Sequence, residues 1–102
     1  MDMTQVHNGH SLFRRYVGWM FRRRIGESEV LILRSKQVHS LFVFISLGTI
    51  HLDRNGIVLH KQVLRPWRIG AYRHKAKYVV ECHPNQLESV QIGASLKHLL
   101  VR

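Results

Sequence analysis

The chain has 102 residues and a single cysteine, and its sixteen Lys and Arg face six Asp and Glu for a formal net charge of +10. That length fits one domain with a modest core, and a lone cysteine excludes an internal disulfide framework. A hydrophobic content of 45% is ordinary for a globular chain, whereas the charge marks a surface that attracts polyanions such as nucleic acid, anionic lipid or acidic protein.

The first ten residues, MDMTQVHNGH, have no basic region followed by an apolar one, so no signal peptide is expected and the cytoplasm is the default location. They read as a mobile arm or an edge strand. Ser11 to Arg24 has apolar residues at 12, 13, 16, 17, 20 and 21, which is helical spacing. Ser11 is placed to cap that helix. Arg14, Arg15 and Arg22 fall on its polar face, and Arg23 and Arg24 sit where the helix dipole favours cations. After the turn GESE, Val30 to Arg34 reads as a short strand.

VHSLFVFISLGTIHLD, residues 38 to 53, is the most apolar run, but it is shorter than the ~20 residues a membrane helix needs. It is rich in β-branched and aromatic residues and contains Gly48, which favours strands over one helix. The reading is a buried strand over 38–45, a bend near Ser46 to Gly48, and a second strand over 49–53. Continuous apolarity, without alternation, points to burial on both faces. DRNG, Asp53 to Gly56, is a tight turn, and Ile57 to Leu64 returns as a strand, so 49–64 is a hairpin.

Leu64 to Lys75 is a basic, aromatic loop containing Pro66, and 76–83 is a strand. PNQLESV offers Asn85 as a cap with Glu88 three residues on, for at most one helical turn. Ser95 to Val101 fits a final strand or a short helix. Strands outnumber helices, so the expected fold is mainly β: a compact antiparallel sandwich or barrel in a single domain over 1–102, with one short N-terminal helix packed on it.

Eight histidines invite a metal, but no H-E-x-x-H and no paired cysteines occur. HNGH, His7 to His10, lies in the N-terminal arm. Neither a metal nor a cofactor is expected. The six acids show no catalytic pairing, no G-x-S-x-G is present, and Cys82 lies in an apolar strand as a structural thiol. Two places stand out. His39 opens the longest apolar strand, where an imidazole either bonds a backbone carbonyl or serves as a polar group in a pocket. RPWR, Arg65 to Arg68, sets Trp67 between arginines, either to plug a barrel end or to stack on a ligand whose phosphate the guanidiniums meet.

Several stretches in order resemble one family. GWMFRRRIGESEVLIL is similar to a G-L-M…R…L…GE-x-L-x-L stretch, and QVHSLFVF to S-V-H-T-F-x-M. IHLDRNGIVLHKQVLRPWRIG resembles V-V-F-L-D-x-x-G-x-V with its following P-W segment, AKYVVEC an A-x-x-V-L-E-L strand, and VQIG a G-L-x-x-G-D ending. These belong to the uncharacterised-ACR family, or domain of unknown function 192, and the likeness runs from about Ser11 to Leu99. The resemblance implies a small β-rich sandwich or barrel and no established activity. His39, Trp67, Arg68 and Glu81 match the family pattern. Phe44 stands where relatives have an arginine, Gly48 where they have an aspartate, and Gly93-Ala94 where they have G-D.

The functional expectation is a small non-enzymatic binding module. Its pocket would take an anionic small molecule or a protein segment at His39, Arg65, Trp67, Arg68 and Glu81. The alternative is non-specific nucleic-acid binding through Arg14, Arg15, Arg22, Arg23 and Arg24 and the RPWR loop, which predicts a steep salt dependence. A hydrolase-like enzyme using His39 and Glu81 is disfavoured by the missing family acids. Monomer and weak dimer both fit, since an exposed strand edge can pair two copies.

Overall fold

The computed structural model describes residues 5–8, 29–38 and 45–100. The N-terminal helix expected over 11–24, with Arg14, Arg15, Arg22, Arg23 and Arg24, lies outside the described residues, as does most of the strand expected over 38–45. Five strands form one sheet: β1 (Gln5–Asn8), β2 (Glu29–Leu33), β3 (Leu47–Leu52), β4 (Val58–Leu64) and β5 (Tyr78–Cys82), in the order β1-β2-β5-β3-β4. The four strands β2 to β5 pair antiparallel, and β1 adds to β2 in parallel. The expectation of a mainly β fold is met. Among the described residues β1 and β4 do not pair, so these strands form an open sheet and not a closed barrel.

The hairpin read from DRNG is present. Asp53 Oδ1 accepts the N–H groups of Asn55 (2.8 Å) and Ile57 (3.0 Å), and the Gly56 N–H donates to the Asp53 carbonyl at 3.0 Å. Gly56 takes φ 80°, which a side chain resists. Every residue of β3 is buried, as its unbroken apolarity predicts, although the strand starts two residues earlier than expected. Register sorts the sheet into two faces, because directly opposed residues share a face. Val30, Ile32, Ile50, Leu52, Val58, Val80 and Cys82 line one face and form a core with Leu87, Val90, Leu96 and Leu99 from the C-terminal segment. Each such buried aliphatic side chain stabilises the fold by about 1.5–3 kcal/mol.

That C-terminal segment holds two 3₁₀ helices, Pro84–Ser89 and Lys97–Leu99. The first corrects the expected cap. His83, not Asn85, caps it: the His83 Nδ1 accepts the Asn85 N–H at 3.0 Å. Pro84 is the reason, since its fixed φ starts the helix two residues earlier and leaves the Asn85 N–H facing the imidazole. Lys61 reaches across to donate to the carbonyls of Leu87 (2.8 Å) and Val90 (2.7 Å), closing the other end.

Candidate functional site

The second face of the sheet carries the polar residues. Antiparallel register places Gln62, Thr49, Glu81 and Leu31 on one rung across β4, β3, β5 and β2, with His60, His51, Val79 and Leu33 on the next. Two of these side chains hold the backbone of the loop that follows β4. The Gln62 Oε1 accepts the Ala71 N–H at 3.0 Å, and the His51 Nε2 lies 3.0 Å from the Ala71 carbonyl. A carbonyl only accepts, so Nε2 carries the proton and Nδ1 is bare. The segment after β2 clasps the same loop. The Val38 carbonyl accepts the Gly70 N–H (2.8 Å), the Lys36 carbonyl accepts the Arg73 N–H (3.0 Å), and the Gln37 side-chain amide donates to the Gly70 carbonyl (2.8 Å). The Lys36 ammonium donates to the carbonyls of His74 (2.6 Å) and Ala76 (3.0 Å).

A cleft of about 240 Å³ opens beside this clamp, lined by Leu59, Tyr72, Arg73, His74 and Lys75. Leu59 is the extra residue of a β-bulge: His51 pairs His60, and the next pair is Leu52 with Val58. Bulges turn a side chain out of the regular pleat and occur often beside binding sites. Arg73 is oriented from below, its Nη2 donating to the His60 Nδ1 at 3.3 Å. The His51 and His60 rings lie 5.7 Å apart. Burial, opposed by the Ala71 bond and aided by the charges at His60 and Arg73, lowers the His51 pKa; burial and then Arg73 lower that of His60. Burial therefore favours the neutral form of both imidazoles beside the Arg73 guanidinium. No acidic residue stands between Asp53 and Glu81 in the sequence, while Arg65, Arg68, Arg73, Lys75 and Lys77 do.

Glu81 is 1% exposed, and its Oε1 has no hydrogen-bond partner among the described residues; the same holds for the His51 Nδ1. Burial pushes the Glu81 carboxyl up to about 8. Burial, helped by the neighbouring Glu81, also pushes the Cys82 thiol up to about 12, so it is no nucleophile at neutral pH. Among the described residues no group of three or more metal-ligating side chains occurs.

Arg65, Trp67 and Arg68 sit together in the turn after β4, and Glu81 lies apart from them in the sheet interior. His39 lies outside the described residues. Trp67 is 45% exposed with φ 61°, a conformation that usually requires Gly or Asn. Sequence reasoning named the loop but not Tyr72, Arg73, His74 and Lys75 within it; the run YRHK was the available signal. It also passed over His51, a histidine inside an otherwise apolar strand. At position 48 a Cβ would stand 3.1 Å from the Cys82 Sγ and from Leu87, so the family's aspartate has little room in this chain.

Comparison with known proteins agrees with the motif resemblance. A UPF0127 protein of Pyrococcus furiosus is 33% identical over 99 residues, covering 91% of this chain and 85% of that protein. One from Pyrococcus horikoshii is 30% identical over 91 residues, covering 85% and 79%. A crystal structure of a protein of unknown function from Novosphingobium aromaticivorans superposes with a TM-score of 0.69 over 88% of this chain and 70% of its own, at 15% identity, which is a likeness of fold. The sequence profile of the Uncharacterized ACR family, DUF192, matches residues 2–98, and the chain belongs to that family.

Proposed function

We propose that the protein is a small binding module whose cleft takes an anionic ligand. The observation that carries this reading is the cleft itself: Arg73, His74 and Lys75 stand around an apolar and aromatic lining of Leu59 and Tyr72. Binding sites combine such walls with a few polar groups that fix orientation. The His60 acceptor directs one guanidinium nitrogen inward, which leaves the others to meet an oxyanion in the cleft. Arg65, Trp67 and Arg68, on the same loop, extend the basic surface toward a larger ligand. A buried carboxyl such as Glu81 repels an anion when charged and serves the fold in this reading. His39 remains a candidate pocket group.

Isothermal titration with inorganic phosphate at constant chloride tests the reading. Saturable binding is expected, and Arg73→Ala with Lys75→Ala weakens it roughly tenfold or more, since each charge-assisted hydrogen bond contributes about 1.5–3 kcal/mol. Equal affinity in the double variant, or no saturable binding in the wild type, defeats it.

A further inference from the structure

The loop that lines the cleft exposes an unusual set of apolar side chains. Ile69 is 68% exposed, Tyr72 57% and Trp67 45%. Looseness does not account for this. The backbone at residues 70, 71 and 73 is tied by bonds to Val38, Gln62, His51, Lys36 and Gln37. Ile69 and Tyr72 flank these anchored residues, and their side chains point outward from a backbone the sheet holds in place. Trp67 keeps a left-handed φ at an exposed turn, a strained conformation of the kind that clusters at ligand clamps. Arg65, Arg68, Arg73 and Lys75 interleave with these three.

We infer that this loop docks the protein on an anionic membrane surface, with Trp67, Ile69 and Tyr72 entering the interfacial layer and the Arg73–Lys75 cleft taking a lipid headgroup phosphate. The inference rests on the anion reading of that cleft. Trp and Tyr suit the membrane interface because one end of each is apolar and the other polar. Ile69, the most exposed of the three, has no planar face for a nucleobase, and single-strand platforms are built from aromatic faces. The charge also fits a lipid surface better than an acidic protein. Residues 64–77 carry Arg65, Arg68, Arg73, Lys75 and Lys77 and no acid, a run of cations that suits an extended sheet of negative headgroups. Among the described residues no helix is long and apolar enough to cross a membrane.

The test is co-sedimentation of the full chain with vesicles of phosphatidylcholine alone and of phosphatidylcholine with about one part in three phosphatidylglycerol, a content that gives a strong negative surface potential. The wild type is expected to bind only the anionic vesicles, and less as sodium chloride rises. The Ile69→Ser variant alters an exposed position outside the cleft lining, and its melting temperature checks the fold. It is expected to lose roughly tenfold in vesicle partitioning, by the apolar area withdrawn from lipid, while its phosphate titration stays unchanged. Unchanged partitioning of that variant overturns the inference. Absence of vesicle binding with intact phosphate affinity overturns docking and leaves the anion site standing. Loss of both phosphate and vesicle binding in the Arg73→Ala, Lys75→Ala variant supports the shared site, whereas a wild type that binds neither refutes both readings. Trp67-dependent binding of a single-stranded RNA without vesicle binding assigns the surface to nucleic acid and overturns the lipid docking.

Discussion

Glu81 shares its rung with Thr49 and Leu31, and one carboxylate oxygen has no partner among the described residues. Its folded pKa, about 8, stands above the ordinary value of 4.5. The folded state therefore holds a proton that the unfolded state has lost between those two values. Stability accordingly falls as pH rises from about 4.5 to about 8 and levels off above that. The loss is on the order of 4 kcal/mol across the window. Glu81→Gln removes this titration, so urea denaturation from pH 5 to pH 8.5 should show a flatter profile than the wild type. Parallel profiles for the two proteins refute the assignment. The sequence marked Glu81 through its match to the family strand. Its burial was not legible, because an acid at the centre of a half-alternating strand usually faces water. His51 was hidden for the opposite reason: its neighbours in IHL are all apolar, and only register reveals that Ala71 lies within its reach.

Element by element, local chemistry was the readable part. Asp53, Asn55 and Gly56 specify a turn from three positions, and the turn formed as they require. Gly56 also meets the C-terminal segment, whose Leu96 N–H donates to the Gly56 carbonyl at 2.8 Å. A Cβ at Gly56 would stand 2.8 Å from the Lys97 Cα, whereas at Gly93, φ 92°, nothing lies within 4 Å. The two glycines thus separate backbone strain from crowding. Gly93→Ala should cost about 1 kcal/mol, the ordinary penalty of a left-handed non-glycine residue. Gly56→Ala adds displacement of the Lys97 backbone and should cost about 3 kcal/mol or more. Urea midpoints of both variants measure the difference; equal losses refute the contact. The bulge at Leu59 and the capping by His83 were not legible. The first depends on cross-strand register and the second on where Pro84 starts its helix, and neither leaves a local composition signal.

For the whole molecule, charge is the property that sequence and structure describe in the same terms. Sixteen cations face six acids, and one of those acids, Glu81, is buried and neutral below about pH 8. Between Asp53 and Glu81 nothing acidic offsets the basic loop. Two cations flanking that loop tie the fold through carbonyls: Lys61 holds the 3₁₀ helix, and Lys36 holds residues 74 and 76 from the facing segment. Such bonds lose little to ionic screening, because the partner carries no net charge. Repulsion among the surface cations does weaken with salt, over a Debye length of about 10 Å at 0.1 M. Sodium chloride should therefore raise the melting temperature of the wild type, most steeply at low ionic strength. The charge-reducing pair Arg73→Ala and Lys75→Ala should respond less, since it removes two members of the cluster. A melting temperature that falls with added chloride would mean that attractive ion pairs dominate the fold. A rise of the same size in the double variant would place the repulsion elsewhere on the surface and deprive the cleft of its unusual potential.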